Sequence, residues 1–178
     1  MGNVRVVQPV KPIVGITAAQ ESLIAQARDI LTRRYGPIDR ESVVVPFTFT
    51  DYYRKSMGDG LLRQFISFEK LLPADGIFRL KLESNMIEDE IKRAGTDTVD
   101  RPINIDPGYL ANGKLVLLTT KDYAHRLYLG EGIHGQVTLV WRDGAFRPLE
   151  WTYPDYQAEF SIAFFNDAYE RYRRQISN

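Results

Sequence analysis

The chain has no cysteine. That excludes disulfides, thiolate nucleophiles, cysteine-ligated zinc and cysteine-held iron–sulfur clusters together. It has only two histidines, His125 and His134, and no H-E-x-x-H pair of the kind that binds zinc on a helix. No charge of one sign dominates: 23 Lys and Arg stand against 23 Asp and Glu. A nucleic-acid coat or a polybasic membrane binder carries a basic surplus, so this balance argues against a nucleic-acid partner and leaves room only for a local basic patch. Long apolar runs are missing as well. Stretches such as Leu115–Leu118 and Ile162–Phe165 fall far short of the roughly 20 residues that span a bilayer. Met1–Val10 holds Arg5 and Gln8 and no apolar signal core, which predicts a cytoplasmic protein with no membrane partner. Neither a G-x-x-x-x-G-K-[ST] loop nor a G-x-G-x-x-G loop occurs. Thr120-Lys121-Asp122 lacks the residue that separates Lys from Asp in the guanine-reading motif of GTPases.

What is present is the composition of a globular protein: 178 residues, 44% hydrophobic and 26% charged. A chain of this size buries about 70% of its unfolded surface and needs no metal staple. Pro12–Ile16 predicts a first strand, and Thr17 with Gln20 forms a T-x-x-Q capping box for the helix that follows. Gly36-Pro37 ends that helix. Ser42–Thr50 predicts a second strand, with Pro46 placing it at an edge or a bulge, and Leu62–Leu71 a third. Pro73 opens a second helix, which Gly95 ends, and Thr96–Asp100 is polar loop. Ile103–Ile105 is a short strand closed by a type II turn at Asp106-Pro107-Gly108. Leu115–Leu118, Arg126–Leu129, Ile133–Trp141 and Ala145–Leu149 are further strands, the last pair joined through Asp143-Gly144. Ile162, Phe165, Tyr169, Tyr172 and Ile176 mark an amphipathic C-terminal helix. The expected fold is α+β, a single domain over residues 1–178. Its ferredoxin-like βαββαβ core carries extra antiparallel strands and the C-terminal helix.

Several polar groupings could carry chemistry. Lys81, Asn85, Glu88 and Lys92 share one helical face, opposite much of the apolar stripe. Spacing alone makes them a solvated ladder of pairs worth a few tenths of a kcal/mol each. The sharper reading is a site wall, with Lys81 binding an anion and Glu88 acting as base or metal ligand. Strand alternation puts Asn104 and Asp106 on one face, and Asp106 either caps a turn or ligates Mg²⁺. Lys121, His125 and Arg126 lie within six residues; they form either a solvated turn or a phosphate site. Asp51-Tyr52-Tyr53 and Trp151-Thr152-Tyr153-Pro154-Asp155-Tyr156 are aromatic–acid clusters. Such aromatics serve a core, stack a base or line a sugar site.

Taken together, these segments resemble a bacterial family, domain of unknown function 4416. The resemblance rests on P-F-T-F-T-D-Y-Y from Pro46 to Tyr53, Met57-Gly58, and Leu62-Arg63-Gln64-Phe65. It continues through Lys81-Leu82 with Asn85 and Glu88, N-I-D-P-G-Y-L from Asn104 to Leu110, Lys114–Leu117, Lys121, His125-Arg126, and W-T-Y-P-D-Y from Trp151 to Tyr156. It covers nearly the whole chain. The family pattern favours Glu where this chain has Ser56. Members often carry the label of GTP-binding protein, and nothing in this chain supplies the phosphate loop for it. A pattern so rich in charged residues implies a site rather than a core.

Two functional readings follow. In the first, the protein binds or transforms a small phosphorylated or carboxylated ligand. Arg63, Lys81, Lys121, His125 and Arg126 supply positive charge, and Asn85, Asn104, Tyr153 and Asp155 complete the binding set. Glu88 and Asp106 act as acid/base groups or as ligands to Mg²⁺ or Mn²⁺, and His125 joins them as a candidate catalytic group. This reading requires those residues to meet in one pocket. In the second, the protein is a non-catalytic scaffold or interaction domain, and the same residues form saturated networks without a cleft. GTP binding without a P-loop is a further alternative.

Overall fold

The computed structural model describes residues 2–3, 6–95 and 99–177. The chain runs through β1 (Lys11–Ala18), α1 (Glu21–Tyr35), β2 (Ile38–Glu41), β3 (Val45–Pro46), α2 (Arg54–Met57), β4 (Leu62–Phe68) and α3 (Arg79–Ala94). It continues through β5 (Ile103–Ala111), β6 (Lys114–Thr119), β7 (Leu127–Gly130), β8 (Ile133–Arg142), β9 (Ala145–Pro148), α4 (Pro154–Gln157) and α5 (Glu159–Ile176). The strands form one nine-stranded sheet in the order β2-β4-β1-β5-β6-β8-β7, with β3 paired to β4 and β9 to β8. Every named strand pair is antiparallel. With α1 following β1 and α3 preceding β5, the β2-β4-β1-β5 half is the ferredoxin-like split βαβ core, and the fold is α+β. No helix among the described residues is long and apolar enough to cross a membrane.

Alternation builds three layers. Val14, Ile16 and Ala18 of β1 face α1 and α3, where Ile24, Leu31, Ile87 and Ile91 complete an apolar cluster. Ile13, one position out of phase, faces α5 with Phe65, Leu115, Phe164 and Phe165. The expected central strand at Leu115–Leu118 is therefore buried on both faces.

The sheet forks beside β5. This strand pairs with β1 from Ile103 to Leu110 but with β6 only from Gly108 to Ala111. Proline has no N–H to donate and is confined to edges or bulges within sheets, and Pro107 sits where the pairing stops. Gly108 is the last paired residue, and a Cβ there would lie 2.4 Å from the Val116 carbonyl oxygen. Before Pro107, β5 is an edge on that side. Helix α3 covers it: Glu88 Oε1 accepts from the Ile105 N–H at 2.7 Å, and Lys81 Nζ donates to the Ile105 carbonyl at 3.0 Å. An exposed strand edge is thereby capped by side chains.

Several expectations are corrected. Asp106-Pro107-Gly108 is not a turn but the middle of β5, because pairing with β1 outweighs local turn chemistry. Thr17 is not a cap: it belongs to β1 and accepts from Arg63. The second strand is Ile38–Glu41 rather than Ser42–Thr50. Of the latter only Val45–Pro46 forms a strand, with single backbone bonds from Ser42 to Phe65 and from Phe47 to Leu61 beside it, and the chain then leaves the sheet. Helix α3 begins at Arg79 rather than Pro73. Lys81 and Glu88 do not form a solvated ladder, since both reach the β5 backbone, whereas Lys92 is exposed. Of the polar loop Thr96–Asp100, residues 96–98 lie outside the described residues.

Candidate functional site

The fork opens into a cavity of about 620 Å³. Its floor is the polar stretch of the α5-facing side of the sheet: Arg63 from β4, Asn104 and Asp106 from β5, and Gln136 from β8. Lys81 and Asn85 of α3 reach it from below through the fork. Three loops wall it: the excursion after β3, the segment between β6 and β7, and the chain entering α4. Of the eleven residues proposed from sequence, ten line this cavity: Arg63, Lys81, Asn85, Asn104, Asp106, Lys121, His125, Arg126, Tyr153 and Asp155. Glu88 stands behind it and holds Arg101, which lines the cavity, through bonds of 2.8 and 3.1 Å.

Arg63 and Asn104 are the most deeply buried of these, each 1% exposed, and Arg63 carries the charge. Arg63 Nη1 donates to Thr17 Oγ1 at 2.7 Å and to Asp106 Oδ2 at 3.1 Å. Its Nη2 donates to the Tyr156 hydroxyl at 3.0 Å and lies 3.2 Å from Asp155 Oδ2. Gly15 makes the room, since a Cβ there would lie 2.5 Å from Arg63 Nη2. Burial pushes the carboxyl pKa of Asp106 upward, but Arg63, Lys81 and the hydrogen bonds from Arg63 and Asn104 outweigh it and hold it below its ordinary value. For Asp155 burial prevails over Arg63, and the pKa is raised. Burial likewise raises Glu88, against the pull of Lys81 and Arg101. Asn104 links the two sides of the floor, donating to Asp106 Oδ2 at 2.7 Å and accepting from Arg101.

The opposite wall is built on Gln136. Its Oε1 accepts from Arg126 Nε at 2.9 Å and sits 3.1 Å from His125 Nε2. An amide oxygen cannot donate, so His125 carries its proton on Nε2. Arg126 is buried, donating also to the Lys121 carbonyl at 2.9 Å and to the Tyr153 hydroxyl at 2.7 Å. It is no solvated turn residue. Lys121 Nζ donates to the Tyr52 hydroxyl across the mouth at 2.7 Å, and this bond lowers the Tyr52 pKa.

The lining holds five cationic side chains, Arg63, Lys81, Arg101, Lys121 and Arg126, and two carboxylates, Asp106 and Asp155. Among the described residues no group of three or more His, Asp or Glu is gathered to hold a metal ion. Glu88, expected as a base or metal ligand, has one oxygen on the Ile105 N–H and the other on Arg101. Sequence reasoning missed Arg101 and Gln136 as site residues. Arg101 lies next to the N-I-D-P-G-Y string, where a signal existed. Gln136 sits in an ordinary strand pattern that carries none.

No curated protein and no solved structure matches the chain. Residues 8–172 match the family model described as Domain of unknown function (DUF4416). The chain belongs to that family.

Proposed function

We propose that the cavity binds a small organic anion, phosphorylated or carboxylated. The observation that carries this is the concentration of five cations against two carboxylates in one cavity of a chain with zero net charge. Its volume falls in the range of ligand pockets. Donors are left for a ligand at the mouth, where Lys121 Nζ spends one of its three protons on Tyr52, and in greater number on the α3 side. Lys81 Nζ uses one of its three protons on Ile105. Among the described residues, the Asn85 side chain makes no hydrogen bond, and Arg101 engages Glu88 and Asn104 through Nε and Nη2, leaving Nη1. Phosphate and carboxylate groups suit such charge-assisted donors. Arg63, by contrast, is neutralised by Asp106 and Asp155 and serves as the rigid floor. A saturated network is what the scaffold reading requires; the floor falls short of it, since Arg63 Nε and Gln136 Nε2 are buried without a hydrogen-bond partner, and that reading does not account for the open cavity above.

The test is a thermal-shift and calorimetric panel of phosphorylated metabolites, GTP, GDP and dicarboxylates, each with and without Mg²⁺ or Mn²⁺. A ligand at about 100 times its Kd adds about 2.7 kcal/mol of stability, a rise of roughly 5–10 °C for a chain of this length. Asn85→Asp places a negative charge among the free donors; it is expected to abolish the shift while keeping the melting temperature of the unliganded protein. A flat panel, or a shift that survives Asn85→Asp, overturns the reading. A response confined to GTP and GDP assigns the anion to a guanine nucleotide bound without a P-loop.

A further inference from the structure

We infer that the ligand carries a flat unsaturated ring as well as its acidic group, and that this ring seats on Trp151 at the cavity mouth; the inference rests on the anion reading above. Four aromatic residues around one opening stay exposed: Tyr52 at 64%, Tyr123 at 58%, Tyr153 at 43% and Trp151 at 38%. Scattered exposed rings are ordinary. A group of them around one cationic cavity forms a contiguous apolar surface of the kind that marks a binding site. They are also pre-ordered. The His125 ring lies parallel to Trp151, with centroids 5.1 Å apart and planes 13° from each other, and parallel to Tyr123 at 6.1 Å and 12°. Trp151 is pinned by its Nε1 donating to the Val137 carbonyl at 2.8 Å, and His125 is held against Gln136.

The face of Trp151 favours a flat ring over a sugar. Trp151 Nε1 is taken by Val137, the Tyr153 hydroxyl receives Arg126, and the Tyr52 hydroxyl receives Lys121. Both tyrosine hydroxyls keep their own protons to donate, but the face of Trp151, whose one N–H is spent on Val137, offers a sugar hydroxyl no partner. A flat ring offers π-faces that stack on aromatic side chains without hydrogen bonds. With Lys81, Asn85 and Arg101 on the α3 side and the stacked rings at the mouth, the cavity has an end for the acidic group and an end for the ring.

Four probes separate these features: adenosine monophosphate, phenyl phosphate, ribose 5-phosphate and inorganic phosphate, each titrated by calorimetry and by tryptophan fluorescence. The chain has two tryptophans. Trp141 packs on Phe146 and Tyr169 under α5, so it gives a constant background. The two ring-bearing phosphates are expected to bind at least about tenfold more tightly than ribose 5-phosphate, or about 1.4 kcal/mol, and to quench the fluorescence. Trp151→Ala is expected to bring them to the level of ribose 5-phosphate without changing ribose 5-phosphate itself, and Trp151→Phe to restore most of the difference. Equal binding of ring-bearing and ringless phosphates overturns the inference and leaves the anion reading standing. So does an equal loss for all probes in Trp151→Ala. Absence of binding by every probe, together with a flat metabolite panel, removes both. Quenching in the wild-type protein is read independently of whether any variant folds.

Discussion

The two halves of β5 differ in a way that explains the molecule. Asn104, Asp106, Gly108 and Leu110 all fall on one face of the same strand by alternation. The later half, from Gly108 onward, is paired on both sides, and Leu110 enters the apolar cluster under α5. The earlier half loses β6 at Pro107, and its face carries Asn104 and Asp106 under the cavity. The backbone of the first half is satisfied by a helix and that of the second by a strand. Regular pairing yields a core, whereas interrupting it on one side yields a polar floor held by charges.

The sharpest way to break the comparison is to remove the cation of the polar half. Arg63→Met leaves Asp106 and Asp155 without their common partner in a site where Arg63 is 2% and Asp155 8% exposed. Losing one member of a buried ion pair costs about 3–5 kcal/mol, to be read from urea denaturation. A loss below about 1 kcal/mol would mean that the floor is not held by this network. Next in size, Gly108→Ala forces a Cβ against the Val116 carbonyl at the last rung before the fork. Overpacking of this kind costs about 1–3 kcal/mol, and hydrogen exchange of the Leu110 and Leu117 amides should quicken. Unchanged exchange there would show that the fork does not depend on close approach at Gly108.

The smallest effect concerns pH. Asp106 has a depressed carboxyl pKa, so its charge contributes stability above the ordinary value of 3.8 and loses that contribution as pH falls through the lower folded value. Asp106→Asn exchanges charge-assisted bonds for neutral ones, a difference on the order of 1 kcal/mol. The wild-type advantage should be full at pH 6, decline as the pH drops below 3.8 and vanish once it passes the lower folded value. An advantage that is constant across this range would assign the stabilisation to shape rather than charge.

Much of the site was legible without the fold. The 4-3 spacing of Lys81, Asn85 and Glu88 placed them on one face of what is indeed α3, and alternation placed Asn104 with Asp106. The positions where local reasoning failed share one cause. Pro107-Gly108 has turn chemistry, and Thr17 with Gln20 has capping chemistry, but both segments are recruited by strand pairing between distant parts of the chain. Local propensity is a weak prior against such pairing.

The sequence by itself determined most of the element types and the concentration of polar residues in a few short strings. Only the tertiary structure decided which charges are neutralised and which remain available to a ligand. Arg63 meets Asp106 from 43 residues away and Tyr156 from 93, and Glu88 reaches Ile105 only because β6 has departed from β5. The worth of a charge is set by its solvation and its partners, and in a folded chain both are fixed by neighbours that sequence distance does not record.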